Sequence, residues 1–153
     1  MNLGKDQQDI KTSPERSSRL TKHGALMANE NLNAYPETLE QLAGNDSGHI
    51  RKEVAYNPKT PSGALEQLAG DDDPGVRQGV AENLSTYPET LEQLAGDTDL
   101  GVRQGVAYNP KTPTPTVILL TADEDKNVST VAKESSSARS LSTVLWAMGG
   151  AGV

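Results

Sequence analysis

Residues 54–79 decide the fold: they read VAYNPKTPSGALEQLAGDDDPGVRQG, and residues 80–105 follow at once with a second copy, VAENLSTYPETLEQLAGDTDLGVRQG. Working outwards, YPETLEQLAG occurs at 35–44 and again, identically, at 87–96, and copies are separated by 26 residues or twice that number. The period predicts a solenoid of about five 26-residue units, near residues 23–48, 49–74, 75–100, 101–126 and 127–150. In a solenoid each unit buries its apolar face only against its neighbours.

Each unit is predicted to hold two short helices and no strand, which makes the fold class all-α. Asp73 suits the N-cap of the first helix, and Pro74 suits its first position. Val76 and Val80 then share one face of that helix at a spacing of four residues. No run alternates at period two for long, so β-strands are disfavoured.

Turn and cap signals divide the unit in the middle. The residue before a proline is pushed out of the helical region, so the first helix should end at Asn57. A second helix should begin with Thr60 as its cap and Pro61 as its first residue, and Thr86 with Glu89 resembles a capping box. The leucine pair that follows, spaced by three residues, fits a 3₁₀ segment about as well as an α-helix, with a capping glycine at its end.

The repeated unit resembles the leucine-rich repeat variant family, whose units have the form VRxxVAxNPxTPxxxLxxLAxDxD, and the resemblance covers roughly residues 23–148. It implies a right-handed superhelix of alternating α- and 3₁₀-helices, without the strands of ordinary leucine-rich repeats. It also implies a binding scaffold rather than an enzyme. The matching positions of the third unit, which have equivalents one period away, are Val76, Arg77, Val80, Ala81, Asn83, Leu91, Leu94, Ala95 and Asp97.

The chain departs from the family pattern in three places. Leu84 stands where a proline follows the asparagine, Tyr87-Pro88 replaces Thr-Pro, and residues 117–121 read VILLT where LEQLA is expected. Some family members carry a Cys-rich iron–sulfur segment before their repeats, but this chain contains no Cys. The last unit is therefore expected to be an irregular cap.

Both ends of the chain differ from the repeats. Residues 1–22 are polar and mixed in charge, and we predict a disordered tail, with a docking arm that folds on a partner as the alternative. Residues 141–148 are the most apolar stretch and include Trp146. They are predicted to cap the core, or alternatively to form a dimer or partner contact. Residues 149–153 are predicted to be a flexible end.

One arginine recurs in each central unit, as Arg51, Arg77 and Arg103. In a stack they would align into a ladder that could bind phosphate or a carboxylate-rich partner. The favoured interpretation is structural: each arginine binds the Asp-rich turn or a helix end of an adjacent unit. The surrounding charge is acidic and no aromatic residues are interleaved, which argues against nucleic acid.

The acidic turns at residues 71–73, 97–99 and 123–125 resemble the opening of a calcium loop. Two of the three have glycine at the fifth loop position, and none supplies a convincing bidentate glutamate at the twelfth. Helix N-capping is therefore the favoured role.

Two other polar series recur. The series Asn31, Asn57, Asn83 and Asn109 is predicted to be structural, either as left-handed caps or through bonds to neighbouring backbone. The series Glu30, Tyr56, Glu82 and Tyr108 alternates with a doubled period. If these side chains face outward they form a recognition patch, and if they face inward they are spacers.

Composition limits the function further. The chain has 153 residues, no Cys, 14 basic and 21 acidic side chains, and a net charge of -7. Cys-ligated metal, a thiol nucleophile and a disulfide framework are thus excluded. The two histidines lie far apart and no nucleotide-binding or hydrolase motif occurs, so no catalytic residue, metal or cofactor is predicted. With neither a secretory h-region nor a membrane-length apolar run, a soluble cytoplasmic protein is expected.

The sequence thus predicts a non-catalytic scaffold that binds another protein through the face bearing Arg51, Tyr56, Arg77, Glu82, Arg103 and Tyr108. The first alternative is a nucleic-acid-binding solenoid that uses the arginine ladder. The second is an assembly element in which the C-terminal unit mediates homo-oligomerisation.

Overall fold

The computed structural model describes the backbone of residues 35–149, with side chains through residue 142. These residues form eight helices and no strand. The helices are α1 (Pro36–Ala43), α2 (Gly48–Tyr56), α3 (Ser62–Leu68), α4 (Pro74–Glu82), α5 (Pro88–Leu94), α6 (Leu100–Tyr108), α7 (Thr114–Leu120) and α8 (Lys126–Gly149). The all-α prediction is confirmed. The right-handed superhelix and the 26-residue unit length stay predictions.

Short helices alternate as the unit pattern requires. The nine-residue helices α2, α4 and α6 are each followed by a seven-residue helix, α3, α5 and α7. Both copies of YPETLEQLAG form a helix that starts after a tyrosine in extended conformation, with φ and ψ of -65° and 144° at Tyr35 and -68° and 148° at Tyr87. The second segment of each unit is an α-helix. It continues into a turn closed by i→i+3 bonds, such as the bond from Gly96 N–H to the Gln93 carbonyl.

The apolar core is one continuous ladder of equivalent side chains. The ladder takes two positions from each first helix and two from each second helix, and every one of these side chains is at most 4% exposed. The members are Ile50, Val76, Val102 and Val128; Val54, Val80, Val106 and Ala132; Leu39, Leu65, Leu91 and Val117; and Leu42, Leu68, Leu94 and Leu120. Further buried alanines, such as Ala55 and Ala81, pack beside them. Helices α2, α4, α6 and α8 pack one on the next, so each unit completes its core with its neighbour.

Helix ends follow the predicted signals in part. The Asp73 carboxylate caps α4 by accepting from Gly75 N–H at 2.8 Å, and Pro74 is the first residue of that helix, as predicted. The predicted threonine caps are wrong: the N-cap positions of the second helices are Pro61, Tyr87 and Pro113, without a side-chain bond.

The threonine hydroxyls instead donate to a backbone carbonyl six residues earlier in their own unit. The hydroxyls of Thr60, Thr86 and Thr112 donate to the carbonyls of Val54, Val80 and Val106 at 2.6–2.7 Å, and the threonines are buried. Each bond gives a second donor to a carbonyl near the C-terminal end of the first helix, which also accepts from the backbone N–H of the asparagine C-cap.

The C-terminal unit departs from the predicted pair of short helices. It forms one helix of 24 residues, because residues 127–153 contain no proline to interrupt it. Helix α8 packs on both α6 and α7 and closes the described end of the stack. The Arg139 guanidinium donates to the carbonyls of Thr112 and Asn109, and so joins α8 to the loop between α6 and α7.

Some predictions fall outside the described residues. They concern the tail at residues 1–22, the positions Glu30 and Asn31, and the end at 150–153. They also concern the side chains of residues 143–149, including Trp146. Of the opening unit, residues 35–48 are described. The two roles proposed for residues 141–148 both stay predictions.

Candidate functional site

The three arginines of the ladder each bind the first aspartate of the acidic turn that lies 20 residues further along the chain. Nε and Nη2 donate to the two carboxylate oxygens, at 2.6–2.8 Å for Nε and 2.9–3.1 Å for Nη2. The pairs are Arg51 with Asp71, Arg77 with Asp97 and Arg103 with Asp123. A bidentate arginine–carboxylate pair is among the strongest polar contacts in proteins.

The same arginines also bind the turn that precedes their own helix. In the third unit, Nη1 of Arg77 donates to the carbonyls of Asp71 and Asp72 at 2.7 and 3.2 Å. Arg51 and Arg103 repeat this contact on their own turns. Every guanidinium nitrogen therefore has a protein acceptor, and each arginine joins two successive turns. We call this arrangement the arginine clamp.

The clamp determines the charge state of its carboxylates. The hydrogen bond from Arg77 holds the pKa of Asp97 below its usual value, although burial opposes the effect. Asp71 and Asp123 are lowered in the same way by Arg51 and Arg103. A carboxylate of this kind stays ionised and engaged, which is the opposite of what a general acid requires. The favoured structural interpretation of the arginines agrees with this geometry.

The last aspartate of each acidic turn caps the helix that follows. Asp99 Oδ1 accepts from Gly101 N–H at 2.8 Å and from Val102 N–H at 3.2 Å. Asp73 and Asp125 make the equivalent bond to Gly75 and Asn127. Among residues 35–142, no cluster of three or more His, Cys, Asp or Glu side chains is arranged to hold a metal ion.

The asparagines form a ladder between units. Asn83 Nδ2 donates to the carbonyls of Ala55 and Asn57 at 2.8 and 2.9 Å, and Asn109 repeats the pattern on Ala81 and Asn83. The three described asparagines have φ near -70° and ψ near 125°, so the left-handed alternative is wrong and the backbone-binding alternative is confirmed. In α8, Ser135 stands at the position equivalent to these asparagines, and its hydroxyl donates to the Ala107 carbonyl.

Glycine ends the second helices as predicted, at Gly44, Gly70 and Gly96. No described residue, glycine included, has a positive φ. The second helices end through i→i+3 turns that any residue can adopt, rather than through the left-handed caps that favour glycine.

The alternating series faces outward. Tyr56 is 40% exposed, Glu82 is exposed and Tyr108 is 77% exposed, each as the last residue of a first helix. Burial and the nearby Glu82 carboxylate raise the pKa of Tyr56. The outward alternative is therefore the one that the structure adopts. We call these three residues the end row.

A groove of about 510 Å³ opens between α4 and α6, beside this end row. Gln78, Glu82 and Leu84 line one side of it, and Gln104, Tyr108 and Pro110 line the other. The volume lies within the range of about 300 to 1,000 Å³ typical of ligand clefts. Of the six predicted face residues, the groove brings together Glu82 and Tyr108, while the arginines bind the turns.

Two glycines position this face, and the sequence reasoning missed them. A Cβ at Gly79 would lie 2.8 Å from the Ala55 Cβ, and a Cβ at Gly105 would lie 3.0 Å from the Ala81 Cβ. Only glycine lets the first helices approach this closely. The available signal was a glycine at a recurring helix-interior position, where it costs about 1 kcal/mol relative to alanine and so calls for a packing reason.

No helix in the described part of the chain combines the length and the apolar character that crossing a membrane requires. A cytoplasmic location stays a prediction.

The helix pairs, the shared core and the inter-unit clamps together define an all-α repeat scaffold. Residues 48–73, a stretch the length of one unit, match the model of the leucine rich repeat variant family. The resemblance predicted from the sequence is confirmed over this stretch. No curated protein and no solved structure shows significant similarity to the chain.

Proposed function

We propose that this chain is a non-catalytic scaffold that binds another protein through the outer ends of its first helices. The groove at Tyr108 carries the proposal, because a tyrosine that is 77% exposed stands beside a cleft of about 510 Å³. Tyrosine is enriched at the energetic centres of protein interfaces. The proposed face keeps the six residues Arg51, Tyr56, Arg77, Glu82, Arg103 and Tyr108, in two different roles.

The arginines of this face act by positioning. Each clamp fixes the turn from which the next first helix starts, and so fixes the spacing of the end row. Side chains held by a rigid framework lose little entropy when a partner binds. Tyr56, Glu82 and Tyr108 supply the contacts.

A non-catalytic role fits the chemistry of the repeated carboxylates. The clamped aspartates accept two bonds from an arginine, and the capping aspartates accept from backbone N–H groups. The arginine lowers the pKa of each clamped carboxyl, whereas acid–base catalysis at pH 7 requires a raised one.

Site-specific photocrosslinking in the native cell tests the proposal. A benzophenone amino acid replaces Gln104, which lines the groove, or in the control Glu92, which is exposed on α5. We expect one protein to be crosslinked from position 104 and not from position 92, and the adduct to be lost when Tyr108→Ala is added. Equal crosslinking from both positions, or none from position 104, would contradict the proposal.

Self-association is a second candidate, favoured by a patch on α7. Ile118 and Leu119 are 55% and 70% exposed, at positions where α3 carries Glu66 and Gln67. Exposed aliphatic pairs of this kind mark contact surfaces.

The variant Ile118→Glu with Leu119→Gln restores the polar pair of α3 and leaves the buried face of α7 unchanged. If the candidate is correct, light scattering on the full chain gives a dimer that the variant converts to a monomer. A wild-type chain that is monomeric at every concentration would remove this candidate.

A further inference from the structure

The groove lies at the junction of α4 with α6, where the end-row residue over the glycine is Glu82 rather than a tyrosine. At the junction of α2 with α4, the Tyr56 ring lies over Gly79: a Cβ there would be 2.9 Å from Tyr56 Cδ2. At the junction of α4 with α6, the corresponding atom over Gly105 is Cγ of Glu82, at 3.2 Å. A methylene chain covers less of the glycine than a ring does, so a cleft remains.

The carboxylate of Glu82 is held at the edge of this cleft. Its Oε1 accepts from Gln78 Nε2 at 2.8 Å, one helical turn earlier on α4. Among the described residues that line the groove, Glu82 alone carries a charge. The groove therefore has a fixed negative end in a chain whose net charge is already -7.

The opposite wall is aromatic, since Tyr108 has no glycine to pack on. In the next unit, the position that corresponds to Gly79 and Gly105 is Val131, a partly buried residue packed against the core. A branched side chain there takes the space that the Tyr56 ring occupies over Gly79. This accounts for an exposed fraction of 77% at Tyr108 against 40% at Tyr56.

Two aliphatic side chains complete the site. Leu84 stands where the neighbouring units have proline, and is 59% exposed at the groove edge. Pro110 lines the other side. The side-chain amides of Gln78 and Gln104 can offer hydrogen bonds to a peptide backbone.

We infer that the groove binds a peptide segment of a partner protein in which a lysine or arginine lies beside an aliphatic residue. The cation contacts the Glu82 carboxylate and the face of the Tyr108 ring, which attracts cations through its quadrupole. The aliphatic side chain packs on Leu84 and Pro110. This inference rests on the proposed function and names the chemistry of the partner.

The inference is tested by selecting binders from a random twelve-residue peptide library displayed on phage, with the full chain as target. We expect enrichment of Lys or Arg next to Leu, Ile or Val. The best peptide, labelled with a fluorophore, should lose at least tenfold in affinity in Glu82→Gln and in Tyr108→Ala. Glu66→Gln removes the same charge from an exposed site on α3 and should leave affinity unchanged.

Three outcomes would overturn the inference. The first is selection of peptides without basic residues, and the second is equal loss of affinity in Glu82→Gln and Glu66→Gln. The third involves a peptide of residues 11–22, KTSPERSSRLTK, which contains its own Arg-Leu pair. If it binds more tightly than every selected peptide, the occupant is the chain itself. The photocrosslinking experiment is independent of these results, so a wrong peptide class and a wrong binding function can be told apart.

Discussion

The Arg77 guanidinium binds both carboxylate oxygens of Asp97, 20 residues further along the chain, with Nε at 2.7 Å and Nη2 at 2.9 Å. The Arg77 side chain is 16% exposed and the Asp97 side chain 9%. Arg51 with Asp71 and Arg103 with Asp123 repeat the relationship. The most conspicuous charges of the sequence thus join the repeats to one another, and the surface available to a partner lies at the helix ends.

The pH dependence of stability should follow these carboxylates. Because the pKa of Asp97 is lower in the folded chain than the unfolded value of about 3.9, its contribution is full above about pH 5 and is lost as pH falls through the folded pKa. Asp71 and Asp123 act in the same direction. Urea unfolding from pH 7 to pH 2 should therefore show a loss of stability concentrated below about pH 4.

The matched variant for this prediction is Asp97→Asn, which lacks one of the three titrating carboxylates. Its free energy of unfolding is lower at pH 7, and it should fall less steeply below pH 4 than that of the wild type. An identical acid slope in the two proteins would show that Asp97 does not titrate as described.

Gly79→Ala should destabilise the chain by about 1 to 3 kcal/mol, the usual range for overpacking a core. The new methyl group would meet the Ala55 Cβ at 2.8 Å, and neither helix can yield alone. Gly63→Ala is the control, since a Cβ at Gly63 meets nothing within 4 Å. It should stabilise the chain by about 0.4 to 1 kcal/mol, because alanine restricts the unfolded chain.

Urea unfolding followed by circular dichroism measures both glycine variants. If Gly79→Ala were as stable as the wild type, the close approach of α2 and α4 would be wrong.

Asn83→Ala should lower the free energy of unfolding by about 1 to 3 kcal/mol, since it removes the Asn83 donor from the buried Ala55 carbonyl and leaves the Asn57 carbonyl with the Thr60 N–H alone. Asn83→Asp should cost more, because it sets a carboxylate against the same two oxygens. The order of stability measured by thermal unfolding is therefore wild type, Asn83→Ala, Asn83→Asp. Asn83→Asp as stable as Asn83→Ala would contradict the ladder.

Binding of nucleic acid through the arginines should be absent. Each guanidinium would have to give up an aspartate and two carbonyls to reach a phosphate. We expect no anisotropy change with labelled DNA or RNA, even at low salt. A signal that falls steeply with salt and disappears in Arg77→Gln would restore the arginine ladder as a binding surface.

The sequence predicted the helix pairs, the apolar ladder and the Asp73 cap, because local signals and burial agree at those positions. The threonine roles were wrong because the Thr60 hydroxyl can either accept from a backbone N–H as an N-cap or donate to a carbonyl. Only the folded unit brings the Val54 carbonyl within 2.6 Å of that hydroxyl. The long helix α8 was missed because the period was extended over a stretch without proline.

The candidate face could be predicted only as a set of positions. The outward direction of Tyr108 and the groove beside it depend on Glu82, Gly105 and Val131, which are far apart in sequence and meet only in the stack. The position of the groove between two first helices therefore cannot be predicted from the repeat pattern alone.

The inter-unit clamp is tested most directly by a double-mutant cycle on Arg77 and Asp97. Free energies of unfolding are measured in urea for Arg77→Ala, Asp97→Ala and the double variant. Each single variant should lose about 2 to 4 kcal/mol, and the coupling energy between them should be about 1.5 to 3 kcal/mol, because the partner left behind is partly buried and has lost its opposite charge, although it keeps its bonds to the backbone. A coupling energy near zero would contradict the account that clamps across successive turns hold the repeats together.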